Sequence, residues 1–188
     1  MDPYKTALDT NNRMVRAYNA GDWDGVIKEA ESFHIPSYSI NMYPNTRCAG
    51  LLEGIARANR DNDYQSAFES ISKGVPHGDD DNAKILRPAA EEAGKKAFER
   101  AHGRAMTDAD HTQVHIVYLE KRIAEYLKKA GNPEDYYYKD NIKNCWEWVG
   151  YWEYTTKRKM TKEDQIRIYG KPFPGGKRGL FGGLFGKK

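Results

Sequence analysis

The chain has 188 residues, of which 39% are hydrophobic and 30% charged, so it can bury a core and is not disordered by composition. No apolar run approaches the ~18 residues that span a bilayer. The net charge of +3 hides an asymmetry: residues 1–154 sum to −5 and residues 155–188 to +8, so a mildly acidic body precedes a basic end that favours anionic surfaces.

Helical periodicity dominates from the start. Asp2 and Pro3 signal an N-terminus, and a first helix is predicted from there to about Ala20. Gly21 stops it, Asp22 caps the next, and Trp23 to Phe33 follows with Trp23, Val26, Ile27 and Ala30 on one face. Residues 34–41 read as a connector. Asn45 or Thr46 opens a third helix to about Arg60, carrying Leu51, Leu52, Ile55 and Ala58. A fourth runs from Tyr64 to about Gly74 with Tyr64, Ala67, Phe68 and Ile71 inward, and residues 76–82 form a polar loop. Helices over about 83–105, 108–130 and 140–158 are predicted next, with a short one over 161–169. The stripe of the 83–105 helix is Leu86, Ala90, Ala93, Ala97, Ala101 and Ala105, small enough for another helix to approach closely. That of 108–130 is Ile116, Leu119, Ile123, Tyr126 and Leu127, and that of 140–158 is Ile142, Cys145, Trp146, Val149 and Trp152. From Gly170 onward glycine and proline dominate and no regular structure is expected. The expected fold is all-α: antiparallel hairpins over 3–33 and 46–75, further helices to 169, and a flexible basic tail over 170–188.

Two segments look alike. Residues 16–30 and 54–68 each place a helix, a small polar turn, an aspartate (Asp22, Asp63), an aromatic (Trp23, Tyr64) and a second helix with Val26 or Ala67 three positions on. This pattern resembles the tetratricopeptide repeat, a helix-turn-helix unit, over about residues 8–76. A glycine or asparagine can end the first helix in the left-handed conformation. The aspartate caps the second helix, the aromatic wedges between the two, and the small residue permits a close crossing. The aromatics are 41 positions apart, against a family period of about 34, with residues 34–45 absorbing the difference. The resemblance implies stacked hairpins whose concave surface binds a peptide or partner protein.

Residues that could carry chemistry are few. His111 and His115, four apart on one helix, project from one face and could share a metal ion with Asp108 and Asp110 upstream, but no third ligand is placed by spacing. This pair defines the alternative reading, a metal- or cofactor-binding helical bundle or enzyme. Asp79-Asp80-Asp81 lacks the spacing of a calcium loop and reads as a solvated cap. Cys145 has no paired base in the sequence and reads as a small core residue. Two cysteines, Cys48 and Cys145, are too few for a disulfide framework. With a Met1-Asp2-Pro3-Tyr4 start that lacks a secretory leader, a cytoplasmic setting is expected, peripheral to a membrane or large assembly. No glycine-rich phosphate loop or serine elbow is present, so no cofactor and no catalytic centre are assigned.

Eight aromatics crowd residues 136–154, and one helix stripe cannot bury them all. Trp148 and Tyr151 fall off the core stripe and are the candidate partner-binding residues, since interfaces concentrate aromatic rings. The tail repeats Gly-Leu-Phe-Gly, and Leu180, Phe181, Leu184 and Phe185 are candidate docking anchors among flexible glycines and cations. The function expected is a non-enzymatic adaptor or scaffold subunit. It would bind protein partners, a larger assembly or a second copy of itself, and a further alternative is peripheral attachment to anionic membrane through the tail. Nucleic acid is disfavoured by the acidic body.

Overall fold

A computed structural model describes residues 3–32, 45–73 and 81–174. The described residues are all-α: α1 (Pro3–Asn19), α2 (Trp23–Glu31), α3 (Asn45–Asp61), α4 (Tyr64–Lys73), α5 (Asp81–His102), α6 (Asp108–Ala130), α7 (Tyr138–Thr156) and α8 (Lys162–Tyr169). Every boundary lies within about three residues of the one expected from helix-start and helix-stop signals. No described helix is long and apolar enough to cross a membrane. The chain forms two compact units, Met1–Asp108 and Ala109–Lys188.

In the first unit, the two hairpin turns are built alike. Gly21 ends α1 at φ +69° and Asn62 ends α3 at φ +58°, the left-handed conformation that glycine and asparagine tolerate best. The following aspartates cap the next helices. Asp22 accepts from the Gly25 amide at 2.9 Å, and Asp63 accepts from the Ser66 amide at 3.0 Å and its hydroxyl at 2.6 Å. Trp23 meets Tyr18 edge-to-face at 5.9 Å, whereas Tyr64 meets Phe98 and His102 of α5 at 5.2 and 5.6 Å. The first aromatic thus touches its own hairpin's first helix and the second reaches the next helix in the chain.

Helix α3 is buried on two faces. Leu52, Ala49 and Ala56 join Met14 of α1 and Val26 and Ile27 of α2, while Leu51, Ile55 and Ala58 join Ala67 of α4 and Ala90, Ala93 and Ala97 of α5. The packing order follows: α1 against α2 and α3, α2 against α3, α3 against α4 and α5, and α4 against α5. Glycines set the closest approaches. A Cβ at Gly54 would lie 2.5 Å from Ser70 Oγ and 3.0 Å from the Ser66 carbonyl, and one at Gly94 would lie 2.8 Å from the Phe68 ring. The outer side of α5 carries the i,i+4 pairs Glu91–Lys95 and Glu92–Lys96. One expectation fails here: Ala101 and Ala105 are exposed rather than part of the α5 stripe. Gly103 takes φ +66° and its amide closes on the Glu99 carbonyl at 2.8 Å, ending the helix three residues early. Phe98 is buried in their stead.

In the second unit, Leu119, Ile123 and Leu127 of α6 face Ile142, Cys145, Val149 and Trp152 of α7, as the stripes predict. Helix α8 opens with a capping box between Thr161 and Asp164. It is held by two arginine–carboxylate pairs. Arg167 grips Glu120 of α6 through both Nη atoms at 2.7 Å, and Arg158 grips Asp164 at 2.5 and 2.8 Å. Beyond α8 the chain does not leave the body at residue 170. Phe173 is buried against Trp146 and Tyr169, and Trp146 Nε1 donates to the Pro174 carbonyl at 3.1 Å.

Candidate functional site

The partner-binding residues proposed from sequence divide. Leu180, Phe181, Leu184 and Phe185 lie outside the described residues. Trp148 and Tyr151 lie on α7 and touch, their rings edge-to-face at 5.6 Å. Trp148 is half-buried against the core, and Tyr151 is 59% exposed. The block therefore serves both purposes: Ile142, Cys145, Val149 and Trp152 point in, and Tyr151 and Tyr154 (76% exposed) point out. Tyr136 and Tyr137, at the start of α7, are also exposed and stack edge-to-face on each other.

Helix α6 supplies the part of the site that its apolar periodicity concealed. Tyr118 stands edge-to-face to Trp148 at 5.9 Å. One turn on, the Arg122 guanidinium lies over the Trp148 ring at 5.3 Å and over Tyr126 at 5.2 Å, and Lys129 lies over Tyr126 at 5.4 Å. The result is a continuous strip, Lys129–Tyr126–Arg122–Trp148–Tyr151, crossing from α6 to α7. Arg122 also pairs with Glu125 through Nη1, while its Nε is buried without a hydrogen-bond partner, so stacking helps to hold the guanidinium in place. The i,i+4 run Tyr118, Arg122, Tyr126 was the available signal, masked because Tyr126 fits the apolar stripe equally well. At the other end of α7, Lys157 takes φ +57° and sets its ammonium 4.0 Å from the Tyr154 ring centre.

A second feature of this unit is a cleft of about 430 Å³ between α6, the end of α7 and α8. Its floor is Trp152, whose Nε1 donates to Glu120 Oε1 at 3.0 Å and whose ring carries the Arg158 guanidinium at 4.6 Å. Burial pushes the Glu120 carboxyl upward, but hydrogen bonds from Arg167 and Trp152 outweigh it and leave its pKa below the ordinary value. The Arg158 guanidinium holds Asp164 well below the usual carboxylate range. These charges are engaged with one another, which marks the cluster as the clamp that seats α8.

Among the described residues no group of three or more His, Cys, Asp or Glu side chains is arranged to hold a metal ion, at His111 and His115 or elsewhere. His115 lies beside Tyr118, and desolvation lowers its imidazole pKa. Cys145 is fully buried and burial pushes its thiol up to about 12, so it is protonated and inert as a nucleophile. Cys48 is also buried and free. No family model, curated protein or solved structure matches the chain.

Proposed function

We propose that the protein is a non-enzymatic adaptor that binds another protein through the aromatic strip of its second unit. The observation that carries this reading is Tyr151, largely exposed and braced by half-buried Trp148, which in turn is packed by Tyr118 and Arg122. A rigid aromatic anchor with a supported base is the arrangement that concentrates binding energy at interfaces. A ring that is 59% exposed and meets the fold at one edge contributes little to the protein's own stability.

The tetratricopeptide-like reading of the first unit is part of the proposal. It is supported by the two left-handed turns with aspartate caps and by a packing order in which α1, α3 and α5 follow one another while α2 and α4 fill the gaps. Stacks of this kind bury each hairpin's apolar face on the next and offer an extended surface to a ligand. The charge-paired outer side of α5 suits the end of such a stack.

The test is quantitative affinity capture from the native host extract, comparing the full chain with Tyr151→Ser. The substitution removes an exposed ring, and its stability should stay within about 0.5 kcal/mol of the parent. Recovery of a specific protein should fall at least tenfold, the loss of one hot-spot ring of about 1.4 kcal/mol or more. Equal recovery by both chains would remove the strip from the function.

A further inference from the structure

We infer that the chain's own C-terminal segment, through Leu180-Phe181 and Leu184-Phe185, docks on the outer face of α7 at Gly150, between Trp146 and Tyr154 and against Tyr151. A partner must then displace the segment to reach Tyr151. That last step rests on the adaptor reading, whereas the docking itself does not. Shape, reach and charge each support it.

Trp146, Gly150 and Tyr154 follow one another at four-residue spacing and form a row along α7, with Glu147 and Tyr151 in the row beside it. Gly150 is exposed, and a Cβ placed on it would meet nothing within 4 Å. The row therefore has a gap at its middle, with an aromatic ring one turn to either side. Tyr151 and Tyr154 are 59% and 76% exposed, so ring surface is open beside the gap. A phenyl or isobutyl side chain fits such a notch, with ring edges and faces to meet.

The structure already brings the chain onto this helix. Phe173 is buried and meets Trp146 at 6.1 Å, and its amide donates to Gln165 Oε1 at 3.0 Å. Trp146 Nε1 donates to the Pro174 carbonyl at 3.1 Å. Residues 175–188, which lie outside the described residues, thus begin beside Trp146, one turn before Gly150. Half the circumference of a helix and the rise of five residues put Tyr151 about 20 Å from Trp146 around the outer face. The seven residues from Pro174 to Phe181 span up to about 24 Å. The first Leu-Phe pair reaches Gly150 and Tyr151, and the second follows four residues later.

The charges are complementary. Residues 109–154 carry six Lys and Arg against eight Asp and Glu, whereas residues 175–188 carry Lys177, Arg178, Lys187 and Lys188 and no acidic residue. Glu147 is exposed beside the notch and belongs to no ion pair among the described residues, so it is open to Lys177 or Arg178 as the segment crosses α7. Such a contact is weak between separate molecules. On a tether this short the effective concentration is in the millimolar range, which keeps a modest apolar contact occupied.

The test is paramagnetic broadening in the full chain. A nitroxide is attached through Gly183→Cys, the two native cysteines being buried, and the backbone amides of Tyr151 and Tyr154 are read in the nitrogen-15-labelled protein. Both amides should broaden. Gly150→Gln fills the notch at an exposed helical position where a side chain is favoured over glycine. Phe181→Ser together with Phe185→Ser removes the anchors. Each change should cut the broadening by at least about fivefold with circular dichroism unchanged. Broadening that neither change reduces, or none in the parent, would overturn the inference. So would broadening seen when a nitroxide-bearing chain is mixed with a separate nitrogen-15-labelled one, which would make the contact one between two copies. In capture from the host extract, the double serine variant should recover more of the specific protein than the parent does. Docking with equal or lower recovery would overturn the displacement. Docking with no protein recovered by any chain would leave the docking standing and remove the adaptor reading.

Discussion

In the Met1–Asp108 unit, helices meet over alanine and glycine; in the Ala109–Lys188 unit, they meet over tryptophan, tyrosine and arginine–carboxylate pairs. The first arrangement brings backbones close, so its geometry is set by what is absent. Local turn chemistry at Gly21–Asp22 and Asn62–Asp63 then aims each helix. The second holds helices apart with bulky rings and locks them by charge, so its geometry is set by what is present. A close-packed small-residue interface fails when atoms are added, and a ring-and-charge interface fails when they are removed. The second kind also leaves large side chains over to face outward, which is why the candidate binding strip arises there.

The largest expected effect is in the second unit. Trp152→Ala removes its bulkiest fully buried side chain and leaves Glu120 without the indole donor, so unfolding free energy should fall by about 3–5 kcal/mol, read from the denaturant midpoint. In the first unit, Gly54→Ala adds one methyl against the Ser70 side chain and the Ser66 carbonyl, so α4 must shift, at about 1–3 kcal/mol. Gly94→Ala meets only the far edge of the Phe68 ring, which can rotate away, and the helix-propensity gain of about 1 kcal/mol should leave it near neutral. If Gly94→Ala proved the costlier of the two, the small-residue account of α3–α4 packing would fail.

Acid should separate the units next. Asp164 has a native pKa below its unfolded value of about 3.9, because Arg158 and the Thr161 cap favour the carboxylate. Its contribution is therefore fully present above about pH 4 and lost as the pH falls towards the native value. Asp164→Asn should lower neutral-pH stability and flatten the acid limb of a denaturation profile monitored by hydrogen exchange of α8 amides. An unchanged acid limb would argue against the Arg158–Asp164 clamp. The smallest effect is the loss of a cap: Asp63→Ala should cost about 1 kcal/mol, seen as faster amide exchange in the first turn of α4.

Much of the fold was legible from punctuation. Gly21, Asn62 and Pro3, with the aspartates after the turns, marked the helix ends, and Leu119, Ile123 and Leu127 marked a core stripe that the structure keeps. What escaped was choice of partner across distance. Arg167 finds Glu120, 47 residues away in the chain, and Phe173 folds back beneath Trp146, contacts that no local pattern encodes. Gly103 lay between Ala101 and Ala105, which continue the alanine spacing of α5, so α5 was drawn too long. The strip was half legible: Trp148 and Tyr151 stood out because they fall off the core face of α7. Tyr118, Arg122 and Tyr126 did not, because a residue serving a core with one edge and a surface with the other looks like core in a periodicity count.

Site-specific photo-crosslinking tests the central claim most directly. A benzophenone amino acid at position 151 of the full chain should yield one predominant protein adduct in the native host, and the same group at exposed Lys143, about two turns away along α7, should yield none. Equal labelling from both positions, or none from either, would mean that the α6–α7 strip is not where this protein meets its partner.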